Sequence, residues 1–196
     1  VGNRGLLFKD SQRVTVDLSL YYNQYEDFIA NKNVIVPYNA TGGYKVFQLY
    51  TNSAADINSY GATIGLNTKV FNGFDLGVNY TLAKFDFDQA SDPDFEAGFN
   101  TPEHKVKLQF GKTNLIKNFG FNINARWQDE FRWESTFVDG TIKSRTVLDA
   151  QINYSVPSIK SVFKLGGANL TGQEYLSAPG IGAIGSQYYL SWTINN

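Results

Sequence analysis

The sequence predicts an all-β chain that forms part of a transmembrane, antiparallel, up-and-down β-barrel. Three observations carry this prediction: apolar and polar residues alternate in segment after segment, short and long connections alternate between those segments, and aromatic residues make up 15% of the chain. Alternation with a period of two places apolar side chains on one face of a strand and polar side chains on the other. No stretch shows helical periodicity, and no apolar run approaches the roughly 18 residues of a membrane-spanning helix.

The alternation defines about nine strands. In residues 74–82, for example, Phe74, Leu76, Val78, Tyr80 and Leu82 share one face, and Asp75, Gly77, Asn79 and Thr81 share the other. The predicted strands lie near residues 1–8, 12–27, 54–71, 73–86, 103–114, 118–132, 144–156, 161–170 and 185–195. Most of them reach or exceed the roughly 9–11 tilted residues that cross a bilayer core.

The connections between these strands alternate in length. Short connections are predicted at 9–12, 71–73, 115–118 and 157–160, and long ones at 28–53, 87–102, 133–143 and 171–184. Outer-membrane barrels have this arrangement, with short turns on the periplasmic side and long loops outside, whereas a soluble sandwich has no reason for it. Aromatic residues near strand ends, such as Tyr22 and Trp127, suit the membrane–water interface.

Composition excludes several classes of function. Lys and Arg number 17 against 18 Asp and Glu, so the formal net charge of −1 gives no reason to expect a nucleic-acid partner. The chain has no Cys and one His, which leaves almost no ligands for a transition metal. We expect neither a metal centre nor a cofactor.

Strand parity predicts that this segment belongs to a larger barrel. Bacterial single-chain barrels have an even number of strands, because both termini normally lie on the periplasmic side. Nine strands put Asn196 on the short-turn side and Val1 on the long-loop side, and an open sheet edge in lipid is costly. The chain also contains no Met. We therefore expect residues 1–196 to be the C-terminal segment of a barrel domain whose other strands lie elsewhere.

Three segments carry a resemblance to a known family. Residues 1–29 begin "VGNRGLLF" and, after a short turn, continue as an alternating strand that ends "YYNQYEDFI". Residues 100–110 read "NTPEHKVKLQF", and residues 163–195 form a closing hairpin that contains "NLTGQEY" and ends in an aromatic-rich strand. In this order they resemble the TonB-dependent outer-membrane receptors, particularly those of Bacteroidetes. One departure is the end of the chain, since many outer-membrane proteins end on an aromatic residue and this one ends Ile194-Asn195-Asn196.

The resemblance implies a location and a function. Such barrels have roughly 22 strands around a plugged lumen, so these would be the last nine. The family imports a bulky, scarce nutrient across the Gram-negative outer membrane, such as an iron chelate, a cobalamin-like compound or an oligosaccharide. The implied partners are outer-membrane lipid, the nutrient, and a TonB complex that acts through an N-terminal plug outside residues 1–196. Some relatives also carry a surface lipoprotein.

The single histidine is predicted to be structural. His104 begins a strand and shares the parity of the outward residues Val106, Leu108 and Phe110, which places it at the outer rim. A hydrolase would pair such a histidine with a serine, and no Ser has a spacing that selects it. We expect no catalytic residue and no enzyme activity.

Ligand contact is predicted in the long loops and the upper lumen. The segment 131–141 offers Arg132, Trp133 and Glu134, flanked by Phe131 and Phe137, which could clamp an anionic chelate or stack on a sugar. The segment 28–53 adds Tyr44, with Tyr38, Phe47 and Tyr50 nearby in sequence. Inward-facing Arg126 and Gln128 lie just below the first of these segments. The competing interpretation is that the aromatic residues only pack the loops together or lie in the aromatic girdle at the membrane interface.

Two other classes of function are compatible with these observations. A small passive porin or structural barrel would need an even strand count in a short native chain. A soluble carbohydrate-binding β-module would remain in the aqueous phase without detergent.

Overall fold

A computed structural model describes residues 2–7, 14–38, 42–135 and 138–194. Antiparallel strands dominate this part of the chain. In chain order they are β1 (Gly2–Leu7), β2 (Val14–Tyr25), β3 (Ile29–Pro37), β4 (Tyr44–Asn52), β5 (Ile57–Val70), β6 (Phe74–Phe87), β7 (Phe95–Glu96), β8 (His104–Ile116), β9 (Phe119–Gln128), β10 (Phe131–Trp133), β11 (Gly140–Ile142), β12 (Arg145–Val156), β13 (Ser161–Ala168) and β14 (Gln187–Ile194). Within these residues no helix is long and apolar enough to cross a membrane.

Nine of the strands form one antiparallel sheet in the order β1-β2-β5-β6-β8-β9-β12-β13-β14. Each strand pairs with its neighbour in this order, so the sheet is an up-and-down meander in which β1 and β14 are the edges. In the described residues the sheet does not close on itself. The predicted all-β, antiparallel architecture is confirmed, with strand bounds that differ by a few residues. Val1, the predicted turn at 9–12 and Asn195 lie outside the described residues.

The register places apolar side chains on one face of the sheet and polar side chains on the other. Leu18 pairs with Ile64, and Val78 pairs with both Leu66 and Leu108. This apolar face has no second layer over it: Leu190 is 77% exposed and Trp192 62% exposed. The hydrophobic residues that are buried in the described chain are only Ile57, Phe95, Ile142 and Val147. A sandwich would bury such a face in protein, whereas a membrane barrel buries it in lipid.

The short turns share one end of the sheet. At the β5–β6 turn Phe71, Asn72 and Gly73 all have positive φ angles, of 42°, 60° and 93°. Asn118 in the β8–β9 turn and Lys160 after the 3₁₀ turn Pro157–Ile159 are also left-handed. These tight reversals hold the hairpins that the sequence predicted at 71–73, 115–118 and 157–160.

The long connections at the other end contain sheet structure of their own. Strands β4, β3 and β7 form a three-stranded sheet, and β10 pairs with β11. The sequence predicted 28–53 and 133–143 as long connections and did not predict the hairpins that form there. Residues 29–52 form a hairpin whose register runs from Ile29 opposite Asn52 to Pro37 opposite Tyr44. The predicted strand 118–132 is likewise interrupted, because β9 ends at Gln128 and β10 begins at Phe131.

Candidate functional site

The β3–β4 hairpin is joined to the segment 88–103 by a partly buried ion pair. Lys32 Nζ lies 2.6 Å from Asp92 Oδ1, and the Asp92 side chain is 4% exposed. The other Asp92 oxygen accepts a hydrogen bond of 3.2 Å from the backbone N–H of Ala54. The hydrogen bond from Lys32 lowers the pKa of the Asp92 carboxyl, and the same bond raises the pKa of the Lys32 amine. This pair fixes the base of the hairpin.

The same segment is joined to the β10–β11 hairpin. Asn100 donates a hydrogen bond of 2.9 Å to the carbonyl of Glu134 and accepts one of 2.7 Å from the Glu134 N–H. The backbone N–H of Gly98 donates to Glu134 Oε2 at 3.3 Å. On the other side, Asn33 Nδ2 donates to Glu96 Oε1 at 3.0 Å. Two hairpins and the 88–103 segment thus form one connected layer, which we call the loop layer.

A cleft of about 210 Å³ lies within the loop layer, lined mainly by acidic side chains and by Arg132. Arg132 Nε lies 3.3 Å from a Glu134 oxygen, and its Nη2 lies 3.6 Å from Asp139. Glu96 has one buried carboxylate oxygen without a hydrogen-bond partner among the described residues. Burial raises the pKa of Glu96, and the nearby Asp139 and Glu134 carboxylates raise it further.

The predicted loop residues have different roles in this layer. The 70% exposed side chain of Arg132 is accessible to a ligand, whereas Glu134 holds the hairpin to Gly98 and Asn100. Trp133 is half-buried. Tyr44 is exposed and lies at the far end of the other hairpin, opposite Pro37. The structure thus brings Arg132, Trp133 and Glu134 together and places Tyr44 apart from them; Phe137 lies outside the described residues.

Arg126 and Gln128 lie on the polar face of β9, just before β10. Arg126 Nη2 donates to Asp149 Oδ2 at 2.8 Å across the β9–β12 pair. Gln128 is paired in register with Lys105 on one side and Arg145 on the other, and Arg126 with Lys107. The sequence analysis did not single out Lys105, Lys107 or Arg145. The alternation in "HKVKLQF" was the available signal for the two lysines, because it placed them on the polar face.

A second cleft, of about 300 Å³, separates the start of β12 from the closing connection 169–186. The Arg145 guanidinium lies 4.4 Å from the Tyr175 ring centre and donates a hydrogen bond of 2.6 Å to the Leu176 carbonyl. This cation–π contact anchors the closing connection against the top of the sheet.

His104 makes structural contacts at the loop-layer end of the sheet, on its apolar face. Its Nδ1 is 2.7 Å from the Tyr80 hydroxyl, and its Nε2 is 3.4 Å from Glu103, which also pairs with Lys84 at 2.9 Å. No serine is hydrogen-bonded to it among the described residues. In the same part of the chain, no group of three or more His, Cys, Asp and Glu side chains could hold a metal ion.

A meander of nine strands with an uncovered apolar face, short turns at one end and a connected loop layer at the other is the arrangement of the wall of a membrane β-barrel. The family comparison gives the same class, since residues 2–170 match the model of the TonB dependent receptor-like β-barrel. The chain belongs to this family, whose members are receptors of the outer membrane. No curated protein sequence matches it.

Solved structures with a similar fold are receptors of the same kind. The ferric-catecholate import receptor Fiu of E. coli K12 is 18% identical over 97% of this chain, with a TM-score of 0.59. The siderophore receptor PirA of Acinetobacter baumannii is 15% identical over 97%, with a TM-score of 0.60. The FpvAI receptor, solved with pyocin S2, is 13% identical over 92%, with a TM-score of 0.63. The chain spans 25%, 30% and 26% of the length of these three chains, respectively.

Proposed function

We propose that residues 1–196 are the C-terminal barrel segment of an active transporter that imports an iron chelate across the outer membrane. The observation that carries this proposal is the loop layer. Side-chain bonds join the β3–β4 hairpin, the 88–103 segment and the β10–β11 hairpin at the end of a sheet whose polar face carries Arg126 and Gln128. A rigid wall with connected loops above it is a typical scaffold for binding a bulky ligand.

Iron chelates are favoured over the other nutrients of the family by charge and by analogy. Arg132 is 70% exposed in the loop layer although Glu134 and Asp139 lie 3.3 and 3.6 Å from it, and Arg126, paired with Asp149, lies on the polar face beneath it. Guanidinium groups suit anionic oxygen donors because they bind carboxylates and similar groups through paired hydrogen bonds. Fiu and PirA are described as ferric-catecholate and siderophore receptors. A cobalamin-like compound or an oligosaccharide has no comparable support from the charged residues.

The whole transporter would contain further parts. In this proposal the two sheet edges, β1 and β14, pair with other strands of a barrel of roughly 22 strands. A plug domain would fill the lumen and would engage TonB in the periplasm, and a surface lipoprotein would be an optional partner. The chain would then cross the outer membrane several times, with the apolar face of the sheet in lipid.

Uptake of radioactive iron by cells that express the full-length protein tests this function. We expect uptake of at least one class of ferric chelate, either catecholate, hydroxamate or citrate, that disappears when the host lacks TonB. Arg132→Gln should raise the half-saturating chelate concentration by about tenfold, as expected for a lost charge-assisted contact. Lys143→Gln is the matched control, because Lys143 is exposed and, among the residues that the structure describes, forms an ion pair only with the exposed Glu130 at 3.4 Å.

Other outcomes would contradict the proposal. Accumulation of small neutral solutes that continues without TonB would instead identify a passive porin. Saturable uptake of a labelled oligosaccharide, with no uptake of any ferric chelate, would retain the active transporter and overturn the iron chelate.

A further inference from the structure

We propose that Lys105, Gln128 and Arg145, together with Lys107 in the next row, bind an anionic group of the carboxylate or phosphate type on the polar face of the sheet. Lys105, Gln128 and Arg145 are direct cross-strand partners on β8, β9 and β12, and we call these three residues the donor row. The inference uses the proposed function only for the assumption that the polar face looks into a barrel lumen.

The first observation is an uncompensated concentration of positive charge. Lys105, Lys107, Arg126 and Arg145 occupy two adjacent rows, and Asp149 is the one carboxylate paired with any of them within the described residues. Like charges at neighbouring cross-strand positions destabilise a sheet. The β6 partners of the lysines, Thr81 and Asn79, are neutral and add no negative charge.

Other cations on the polar face show the contrast. Arg4 is paired with Asp17 and Lys69 with Asp75, in each case with the residue directly opposite on the neighbouring strand. Each of these two cations is therefore neutralised by a carboxylate on the neighbouring strand of the sheet. Lys164 also has no carboxylate within the described residues, but it stands alone between Asn153 and Ser191.

The second observation is a buried donor without an acceptor. The side-chain Nε2 of Gln128, in the middle of the donor row, is buried and has no hydrogen-bond partner within the described residues. Leaving such a buried donor unpaired opposes folding, because its hydration is lost and not replaced. Arg145 already donates to the Leu176 carbonyl and lies against the Tyr175 ring, which leaves the other N–H groups of its guanidinium for the row. These N–H groups, the Lys105 ammonium and the Gln128 amide N–H₂ are all donors, so the group that satisfies them must be an acceptor, and the surrounding charge makes that acceptor an anion.

The anion has two possible sources with the same chemistry. It is either an anionic group on the transported ligand or a carboxylate from the part of the full-length protein that fills the lumen. A zero-length carbodiimide reaction distinguishes them, because it joins a lysine amine only to a carboxylate in direct contact.

The experiment uses the full-length protein in detergent, with an amine-reactive label and peptide mass spectrometry. One arm measures carbodiimide cross-links from Lys105 and Lys107. The other arm measures their labelling rates in chloride buffer with and without inorganic phosphate at constant ionic strength. Lys164 is the internal control, since it is a lone lysine on the same face.

Two results support the donor row. A cross-link from Lys105 or Lys107 to a carboxylate, absent for Lys164, assigns the row to an internal partner. The other supporting result is that phosphate slows the labelling of Lys105 by about threefold or more. In the Lys105→Gln/Arg145→Gln variant phosphate should then no longer slow the labelling of Lys107. Together these results assign the donor row to a free anion. A Gln128→Leu variant gives a second reading if that double variant fails to fold, because it should weaken phosphate protection without removing a charge.

The absence of both effects overturns the proposal. In that case Lys105 and Lys107 would label like Lys164, or would be shielded with neither a cross-link nor a dependence on phosphate. Neither readout measures uptake, so such a result would leave the proposed transport function intact.

Discussion

Asp149 binds the closing connection to the wall of the sheet through Asn169. Its Oδ1 accepts a hydrogen bond of 3.0 Å from the backbone N–H of Asn169, while its Oδ2 accepts the bond from Arg126. Asn169 is 2% exposed and has a left-handed backbone, with φ of 53°. Its side chain donates to the Gln173 carbonyl at 2.8 Å, and its own carbonyl accepts from Ser186 Oγ at 2.7 Å. Asp149 thus holds Asn169 at the start of the connection 169–186, and Asn169 in turn accepts the bond from Ser186 at its end.

Asp149→Ala should therefore loosen the closing connection. The substitution removes the acceptor of Asn169 and leaves the Arg126 guanidinium without its carboxylate, which we expect to cost about 1–3 kcal/mol. Limited proteolysis within residues 171–186 should become faster while the rest of the wall stays resistant. Asn153→Ala, on the same face of the same strand and without these bonds, is the control. Equal cleavage of the two variants would show that Asp149 does not hold the connection.

Acid should release the base of the β3–β4 hairpin. Lys32 lowers the pKa of Asp92 below its ordinary 3.8. The pair therefore stabilises the fold above that value, and its contribution disappears as pH falls through the lower folded-state pKa. Protease cleavage of the β3–β4 hairpin should rise below about pH 4, and the hairpin of Asp92→Asn should be cleaved at the faster rate at neutral pH as well. A hairpin equally resistant in both proteins at neutral pH would contradict this role of the pair.

Glu96→Gln should stabilise the loop layer at neutral pH. The folded-state pKa of Glu96 is raised by burial and by nearby carboxylates, so its ionised form opposes folding above the ordinary pKa of 4.5. Glutamine keeps an oxygen for Asn33 and removes the charge. We expect a gain of up to about 1 kcal/mol, measured by denaturation in detergent, which shrinks as pH falls through the raised pKa. Asp86→Asn is the control, because Asp86 lies outside the cleft. A loss of stability for Glu96→Gln at pH about 7 would contradict the prediction.

Gly61→Ala should destabilise the wall. Gly61 lies directly opposite Tyr21, and a Cβ at this glycine would lie 2.6 Å from Tyr21 Cε1 and even closer to the Leu82 carbonyl. Relieving such overlap typically costs about 1–3 kcal/mol. The change should lower the temperature at which the folded band unfolds in a detergent gel. Gly5→Ala, which meets nothing within 4 Å, should leave that temperature unchanged.

His104→Ala should alter stability without altering transport. The substitution removes the 2.7 Å hydrogen bond to Tyr80 at the rim, which is worth about 0.5–1.5 kcal/mol. Tyr80→Phe should have a similar effect, and the double variant should cost little more than either single one. Nutrient uptake, measured at a saturating nutrient concentration and at equal protein levels, should be the same in all three variants. A large loss of uptake specific to His104→Ala would mean that the histidine takes part in function.

The nine-stranded sheet was predictable because apolar and polar side chains alternate along its strands. The alternation in residues 74–82 predicts which side chains share each face, and the observed pairs Val78–Leu108 and Tyr80–Val106 agree with it. The same parity placed Arg126 and Gln128 on the polar face. The β3–β4 hairpin was missed although its signal was present, since Gly42 and Gly43 separate the apolar runs of "NVIVPY" and "YKVFQLY".

The loop layer could not be predicted in the same way. Lys32 and Asp92 are 60 residues apart in sequence, and no local pattern couples them. Glu134 was predicted as a ligand contact because of its aromatic and basic neighbours, yet its backbone and carboxylate bind Asn100 and Gly98. Whether the six predicted residues contact a ligand stays a prediction: Arg126, Gln128, Arg132, Trp133, Glu134 and Tyr44.

The meander order of the sheet has a kinetic consequence. Each inner strand finds its partners next to it along the chain, so the wall can be extended one hairpin at a time with little loop entropy lost at each addition. The neighbouring strands that are farthest apart in sequence are β2 and β5, because the β3–β4 hairpin lies between them along the chain. In the proposed barrel of roughly 22 strands, the outer edges of β1 and β14 would pair with strands from farther along the chain. Closure at these two edges, and not growth of the wall, should therefore set the pace of assembly in the membrane.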